Sequence, residues 1–138
     1  MKQAVWLAAT LLALVVGAPA SPAQERPGFR SPEISTDHRV TYRIAAPNTT
    51  QVLLNGPPGP APPTGSTAST GNPGNWLMPM QKGADGIWSL TIGPLAPDIY
   101  RYNFVIDGVR ALDLTNPYIS SGGSQPWSYY EVPGDPPP

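Results

Sequence analysis

Apolar and polar residues alternate along two stretches of the chain, and this alternation predicts β-strands. In residues 39–45, RVTYRIA, the side chains of Val40, Tyr42 and Ile44 share one face. The second stretch, residues 99–106, has an apolar face formed by Tyr100, Tyr102, Phe104 and Ile106. Because successive side chains of a strand point to opposite faces of its sheet, we expect two half-buried antiparallel strands.

Five shorter runs bring the predicted set to about seven strands, and no segment shows a convincing helical period. These runs are residues 51–55, 76–80, 87–92, 109–112 and 127–132. Asp107-Gly108 is the pair preferred in two-residue hairpin turns, and Pro79 favours an edge or a bulge. Trp88 lies on a periodic apolar face and is expected in the core. Short strands separated by turns predict an all-β fold, a two-sheet antiparallel β-sandwich.

Residues 1–23 have the organisation of a signal peptide. Lys2 gives a positive start, residues 5–16 are apolar, and the small-x-small patterns APA and SPA offer cleavage sites. A membrane anchor is the alternative, but the apolar run is shorter than the roughly 20 residues that a span needs. We therefore expect a secreted or periplasmic bacterial protein that has no membrane contact after signal cleavage.

The remaining residues divide into a domain and its flanks. Residues 24–33 are predicted as an irregular lead-in, residues 34–132 as the β-sandwich domain and residues 133–138 as a Pro-rich linker. Residues 56–75 interrupt the domain with a Pro/Gly/Ser/Thr-rich stretch that has no charge and no large apolar residue. A binding loop and a flexible, solvated insertion both fit this composition. The insertion is favoured, because so little apolar surface cannot offset the entropy cost of ordering.

Composition excludes several classes of function. The 138 residues carry a net charge of -1 and only 12% charged residues, so the basic surface of a nucleic-acid-binding protein is absent. The chain has no Cys and one His, which excludes thiolate and multi-histidine metal sites. We expect no metal and no cofactor.

Catalytic groups are also scarce in the sequence. His38 is the single candidate base, it lies in a polar turn, and no G-x-S-x-G motif accompanies it. Asp107 and Asp113 are the candidate acidic pair, but the first suits the hairpin turn and the second can cap a turn. We therefore predict that this chain has no catalytic residue and is not an enzyme by itself.

Aromatic residues are the remaining candidates for function, because flat rings can stack on sugar rings. The candidates are Trp76, Tyr118, Trp127, Tyr129 and Tyr130. Trp76 follows the 56–75 insertion and is either a surface platform or a residue that packs at the mouth of the sandwich. Tyr129 and Tyr130 are neighbours in a strand, so only one of them can face the core.

The order of several motifs resembles a known family. The motifs are RVTYR at 39–43, GIWSLT at 86–91, GPL at 93–95, YRYNFVIDG at 100–108 and EVPGD at 131–135. They resemble the early-set immunoglobulin-like N-terminal domain of secreted bacterial esterases similar to enterochelin esterase. They are also similar to family 48 carbohydrate-binding modules, which stand beside α-amylase-type glycoside hydrolases. The resemblance implies an immunoglobulin-like (early-set) antiparallel β-sandwich.

The resemblance also implies a partner and a set of ligand positions. In the esterases this domain precedes an α/β-hydrolase domain, so the implied role is that of a non-catalytic accessory domain. Glycogen-binding relatives use an Asn-Trp pair, a Lys and a second Trp. Asn75-Trp76 matches the pair, whereas Asn103 stands at the Lys position and Arg110 at the Trp position. Trp76, Asn103, Arg110 and Trp127 are thus the candidate ligand-binding residues, with a polysaccharide as the alternative partner.

Overall fold

The computed structural model describes residues 17–19 and 28–135, and in this part of the chain all regular structure is β. The strands are β1 (Glu33–Ile34), β2 (Val40–Ala45), β3 (Val52–Gly56), β4 (Thr67–Ala68), β5 (Trp76–Pro79), β6 (Gln81–Lys82), β7 (Ile87–Ile92), β8 (Asp98–Ile106), β9 (Val109–Ala111), β10 (Ile119–Ser120) and β11 (Trp127–Val132). The described residues include no helix long and apolar enough to cross a membrane.

Parts of three predicted segments lie outside the described residues. They are the signal peptide 1–23, apart from residues 17–19, the start of the lead-in at 24–27 and the end of the linker at 136–138. The signal peptide and the export that it implies remain predictions. Within the described part, β1 begins at Glu33, the last residue of the predicted lead-in.

Two antiparallel sheets form the sandwich, as the alternation predicted. A four-stranded sheet has the order β1-β2-β7-β6, and a seven-stranded sheet has the order β10-β11-β8-β3-β5-β4, with β9 also paired to β8. All seven predicted strands are present. The four strands that the sequence did not predict have two residues each, which is too short for a period of two to be visible.

The core lies between the two sheets and contains the predicted apolar faces. Its fully buried side chains include Val40, Tyr42, Val52, Leu54, Met78, Tyr102 and Phe104. Trp88 is 7% exposed, as expected of a core residue, and its Nε1–H donates a hydrogen bond to the carbonyl oxygen of Ala46 at 2.9 Å. This bond satisfies the indole donor inside an otherwise apolar layer.

Polar groups are buried at one end of the core, where they form a connected network. The Tyr102 hydroxyl donates to Asp113 Oδ2 at 2.8 Å and accepts from Asn116 Nδ2 at 3.0 Å. The amide N–H of Asp113 donates to Ser128 Oγ at 3.0 Å. The ring of Tyr130 lies 5.6 Å from that of Tyr102, and the hydroxyls of Tyr42 and Tyr130 form a hydrogen bond with each other. Asp113 therefore has a structural partner for its buried carboxylate.

The Asp107-Gly108 turn has the predicted geometry. The φ angles of 45° at Asp107 and 85° at Gly108 are both positive, as a type I′ hairpin requires. The Asp107 carboxylate also accepts the backbone N–H groups of Thr50 and Gln51, with Oδ1 at 3.0 and 2.8 Å. The turn residue therefore ties the β8–β9 hairpin to the beginning of β3.

The 56–75 insertion contains a strand that its composition did not predict. Thr67–Ala68 (β4) pairs with Trp76–Leu77 of β5, so the two form a hairpin whose turn spans residues 69–75. The flexibility of the insertion remains a prediction. Pro79 lies opposite Leu53 of β3 and beyond the end of the β4 ladder, where its missing N–H has no strand to bond.

Candidate functional site

Three of the four candidate ligand residues lie on the outer face of the seven-stranded sheet. Along β8 the side chains of Tyr102 and Phe104 enter the core, so Asn103 between them points outward. Arg110 of β9 stands opposite Val105, the next outward residue of β8. Trp127 precedes Ser128, which pairs with Tyr102, and alternation places the indole outward beside Asn103. The fold thus brings Asn103, Arg110 and Trp127 together.

Trp76 belongs to a different surface. It shares the inward face of β5 with Met78, and its half-buried ring packs against the core. This corresponds to the packing alternative, in which Trp76 closes the mouth of the sandwich. Its neighbour Asn75 is also used structurally, since its Nδ2 donates to the carbonyl oxygen of Arg101 at 3.1 Å.

Arg110 covers the ring of Trp127. The guanidinium carbon lies 5.6 Å from the ring centroid, within the range of a cation–π contact, and Trp127 is only 8% exposed. Arg110 Nη1 also donates to Gln125 Oε1 at 2.6 Å. The indole therefore supports the arginine, and it presents little ring surface on which a sugar could stack.

Two amide side chains are buried under this face without hydrogen-bond partners. Asn55 of β3 lies directly opposite Asn103 of β8, and the two residues are 0% and 3% exposed. Both side-chain polar atoms of Asn55 and the Oδ1 atom of Asn103 lack partners among the described residues. A buried polar group without a hydrogen-bond partner lowers the stability of the fold by about 1–3 kcal/mol. Such groups are therefore rare, and each one needs a physical explanation.

A small pocket opens beside Asn103. Its volume is about 160 Å³, and its walls are Asn103, Arg110, Ala111, Leu112, Gln125 and Pro126. The turn of the 56–75 insertion approaches the same place, because a Cβ atom built on Gly71 would lie 2.9 Å from Arg110 Nη2. The pocket thus combines a guanidinium, two amides and an apolar wall, with the insertion at its edge.

Asn55 and Gln125 were missed by the sequence analysis. Asn55 ends a predicted strand whose apolar neighbours carried the signal, and Gln125 lies in a turn-rich polar segment. Neither position has a local pattern that indicates a site. The pairing of β3 with β8 places Asn55 opposite Asn103. The segment that leads into β11 places Gln125 beside Arg110.

A second surface lies beside β11 and contains the remaining aromatic candidates. The rings of Tyr118 and Tyr129 are 5.7 Å apart, and both line a groove of about 710 Å³ whose wall includes Glu131. Nearby, Leu114, Tyr118 and Ile119 are 92%, 60% and 48% exposed. Tyr130 points into the core and is 5% exposed, so one of the two neighbouring tyrosines faces inward, as alternation requires.

The catalytic candidates of the sequence do not converge in the structure. His38 lies in the turn before β2, where its carbonyl oxygen accepts the N–H of Leu95. Asp107 is bonded to the start of β3 and Asp113 to the buried tyrosine network. Within residues 17–19 and 28–135, no three acidic or histidine residues form a group that could hold a metal ion.

Comparison with known proteins identifies the fold but no family. No family model matches the chain, and no curated protein matches it. Among solved structures, a candidate alpha amylase from Salmonella typhimurium is 23% identical over 75% of this chain and 15% of its own chain, with a TM-score of 0.53. A pullulanase from Bacillus acidopullulyticus is 20% identical over 80% of this chain and 12% of its own, with a TM-score of 0.49.

The first of these matches supports the immunoglobulin-like sandwich as a fold. In both matches the chain spans only a small share of a much larger protein, 15% of one and 12% of the other. The predicted relation to esterases has no counterpart among these structures and remains a hypothesis.

Proposed function

We propose that this chain is a non-catalytic accessory domain of a secreted carbohydrate-active enzyme or esterase. In this role it packs against, and helps to position, an α/β-hydrolase or other catalytic domain in the same polypeptide. The motif order and the small share of the Salmonella protein that the fold matches both support an accessory role.

One observation carries the packing role: the apolar surface beside β11. Leu114, Tyr118 and Ile119 lie within six residues of one another and are all about half exposed or more. Exposed apolar residues that cluster mark surfaces for protein contact, whereas isolated ones are common. The groove lined by Tyr118 and Tyr129 shares Tyr118 with this surface, and its wall includes Glu131, which is close in sequence to the segment predicted as a linker. A domain that follows the linker would reach this surface.

The test begins with the gene and continues with the protein. We expect the source gene to continue past residue 138 into a catalytic domain with a G-x-S-x-G motif. In the joined protein, the Tyr118→Ser/Ile119→Ser variant should separate the unfolding transitions of the two domains. Val109→Ser is the matched control, because Val109 is 68% exposed on the β8–β9 hairpin. Hydrolysis of acyl esters by the chain alone would contradict the non-catalytic role, if the rate exceeds that in buffer and persists in the His38→Ala variant.

Carbohydrate binding is the second candidate function, and the unpartnered Oδ1 atom of Asn103 in the pocket wall favours it. A sugar hydroxyl can donate a hydrogen bond to such an oxygen. The packing of Trp76 against the core favours the pocket beside Asn103 over Trp76 as the sugar site. Retention of the chain on starch, glycogen or xylan tests the function, with Trp76→Ala to test the original platform. Passage through all three matrices without retention would contradict binding to these neutral polysaccharides.

A further inference from the structure

The positive charge of Arg110 has no carboxylate partner in the described part of the chain. The two salt bridges found there join Arg39 to Asp37 and Arg43 to Glu33, near the four-stranded sheet. The hydrogen-bond partner of Arg110 is instead the neutral amide of Gln125. A guanidinium carries five N–H donors in a planar fork that matches a carboxylate, so donors of Arg110 remain free beside the pocket.

The Asn103 amide in the pocket wall needs a different kind of group. Its Oδ1 atom lacks a hydrogen-bond donor among the described residues, and a carboxylate has no N–H or O–H group to donate to it. A hydroxyl group can donate to such an oxygen and can also accept from an amide N–H. An occupant that satisfies the whole pocket therefore carries an anionic group next to hydroxyl groups.

The pocket size limits the occupant to one small unit. The volume of about 160 Å³ is close to that of a cavity of about 150 Å³ that can hold one benzene ring. Sites for drug-sized ligands span about 300–1,000 Å³. One substituted sugar residue could enter at its edge, while the rest of a polymer stays outside along the sheet.

We infer that the pocket beside Asn103 and Arg110 binds a uronic acid residue of an acidic polysaccharide. Arg110 takes the carboxylate, and the amide of Asn103 takes a neighbouring hydroxyl. A neutral sugar would leave the guanidinium without a counter-charge, and Trp127 offers no open ring face as compensation. The inference rests on the carbohydrate-binding function proposed above and names its substrate class.

The decisive comparison is between an acidic oligosaccharide and its uncharged methyl ester. Calorimetric titrations of the chain at low ionic strength would use trigalacturonate, its methyl ester and, as a neutral glucan, maltotriose. We expect trigalacturonate to bind at least about tenfold more tightly than the ester, because the bidentate ion pair is lost. Equal affinity for acid and ester would overturn the inference. Binding of maltotriose alone would also overturn it, while leaving carbohydrate binding intact; no binding of any of the three would contradict both.

Variants separate the pocket from general electrostatic attraction. Arg110→Gln should lower the affinity for trigalacturonate about tenfold or more, and Gly71→Ala should lower it by displacing the guanidinium tip. Arg101→Gln is the matched control, since Arg101 lies on the same face but lines a different groove. An equal loss in the control would overturn the inference. A triglutamate peptide that binds as well as trigalacturonate would also overturn it, in favour of a protein partner.

The Asn103→Leu variant distinguishes an amide that binds ligand from one that only supports the fold. Leucine keeps the branched shape but removes a buried oxygen that has no partner, and such a replacement is neutral or stabilising. We expect loss of trigalacturonate binding together with an unchanged or higher melting temperature. A lower melting temperature would show that the amide supports the fold and would overturn the inference.

Discussion

Raising the pH above about 10 should unfold this domain, because its core contains three buried tyrosine hydroxyls. Tyr42, Tyr102 and Tyr130 are 0%, 0% and 5% exposed. Burial is the main reason that the pKa of each rises above the ordinary value of 10.0. The neighbouring carboxylate of Asp113 raises the pKa of Tyr102 further. In the folded state all three phenols therefore stay neutral well above pH 10.

The size of the effect follows from proton linkage. Above pH 10 the unfolded chain binds fewer protons than the folded chain, so the free energy of unfolding falls as the pH rises. The stabilisation is complete below the unfolded pKa and is lost above it. Each tyrosine contributes a loss of about 1.4 kcal/mol by pH 11, so the three together remove about 4 kcal/mol. Small domains have about 5–15 kcal/mol in total, which predicts unfolding within roughly one to two pH units above 10.

Urea unfolding followed by circular dichroism at several pH values between about 8 and 11 measures this loss. Tyr42→Phe should reduce the slope of stability against pH by about one third, because one of three linked protons is removed. Val40→Ala is the control: it should lower stability by a constant amount at every pH. An unfolding free energy that does not change between about pH 9 and 11 would refute the argument.

Three further substitutions test other contacts. Trp88→Ala should cost about 3–5 kcal/mol, because the indole is 7% exposed in the core; a nearly unchanged melting curve would show that the face assignment is wrong. Tyr102→Phe should cost about 1.5–3 kcal/mol in urea unfolding, since it removes the donor to the buried Asp113 carboxylate; a loss below about 0.5 kcal/mol would contradict this. Gly86→Ala should cost about 1–3 kcal/mol, because φ is +77° and the new Cβ would lie 2.7 Å from Pro47 Cβ; equal stability in thermal melts would contradict it.

The strands that could be predicted are those in which one face is buried along several residues. Tyr102 and Phe104 of β8 are fully buried, and Asn103 between them points the other way, so the pattern of two is visible in the sequence. The strand at Thr67–Ala68 has both residues exposed. Its pairing depends on β5 alone, and no local pattern could indicate it.

The candidate site was predictable only in part. Family resemblance drew attention to Asn103 and Arg110, and the structure places them together. Gln125 in the pocket wall and Asn55 opposite Asn103 come from distant parts of the chain, and only the complete fold brings them there. The sequence also indicated Trp76 as a candidate, but it did not show which face of β5 is buried. In the structure Met78 is fully buried, and Trp76, two residues earlier, lies on the same face.

The last strand determines when this domain can fold. Strand β11 pairs with the first half of the central strand β8, and Tyr130 on β11 meets Tyr42 of the opposite sheet inside the core. The seven-stranded sheet and the core between the two sheets are therefore incomplete until residues 127–132 have been synthesised, although all other core strands precede them. Until then the apolar faces that β11 covers stay exposed on the nascent chain. Strand pairing between residues far apart in the sequence also forms slowly. A ribosome that pauses before residue 127 would hold a chain whose core still lacks Tyr130 and Val132, and synthesis through residue 132 supplies them.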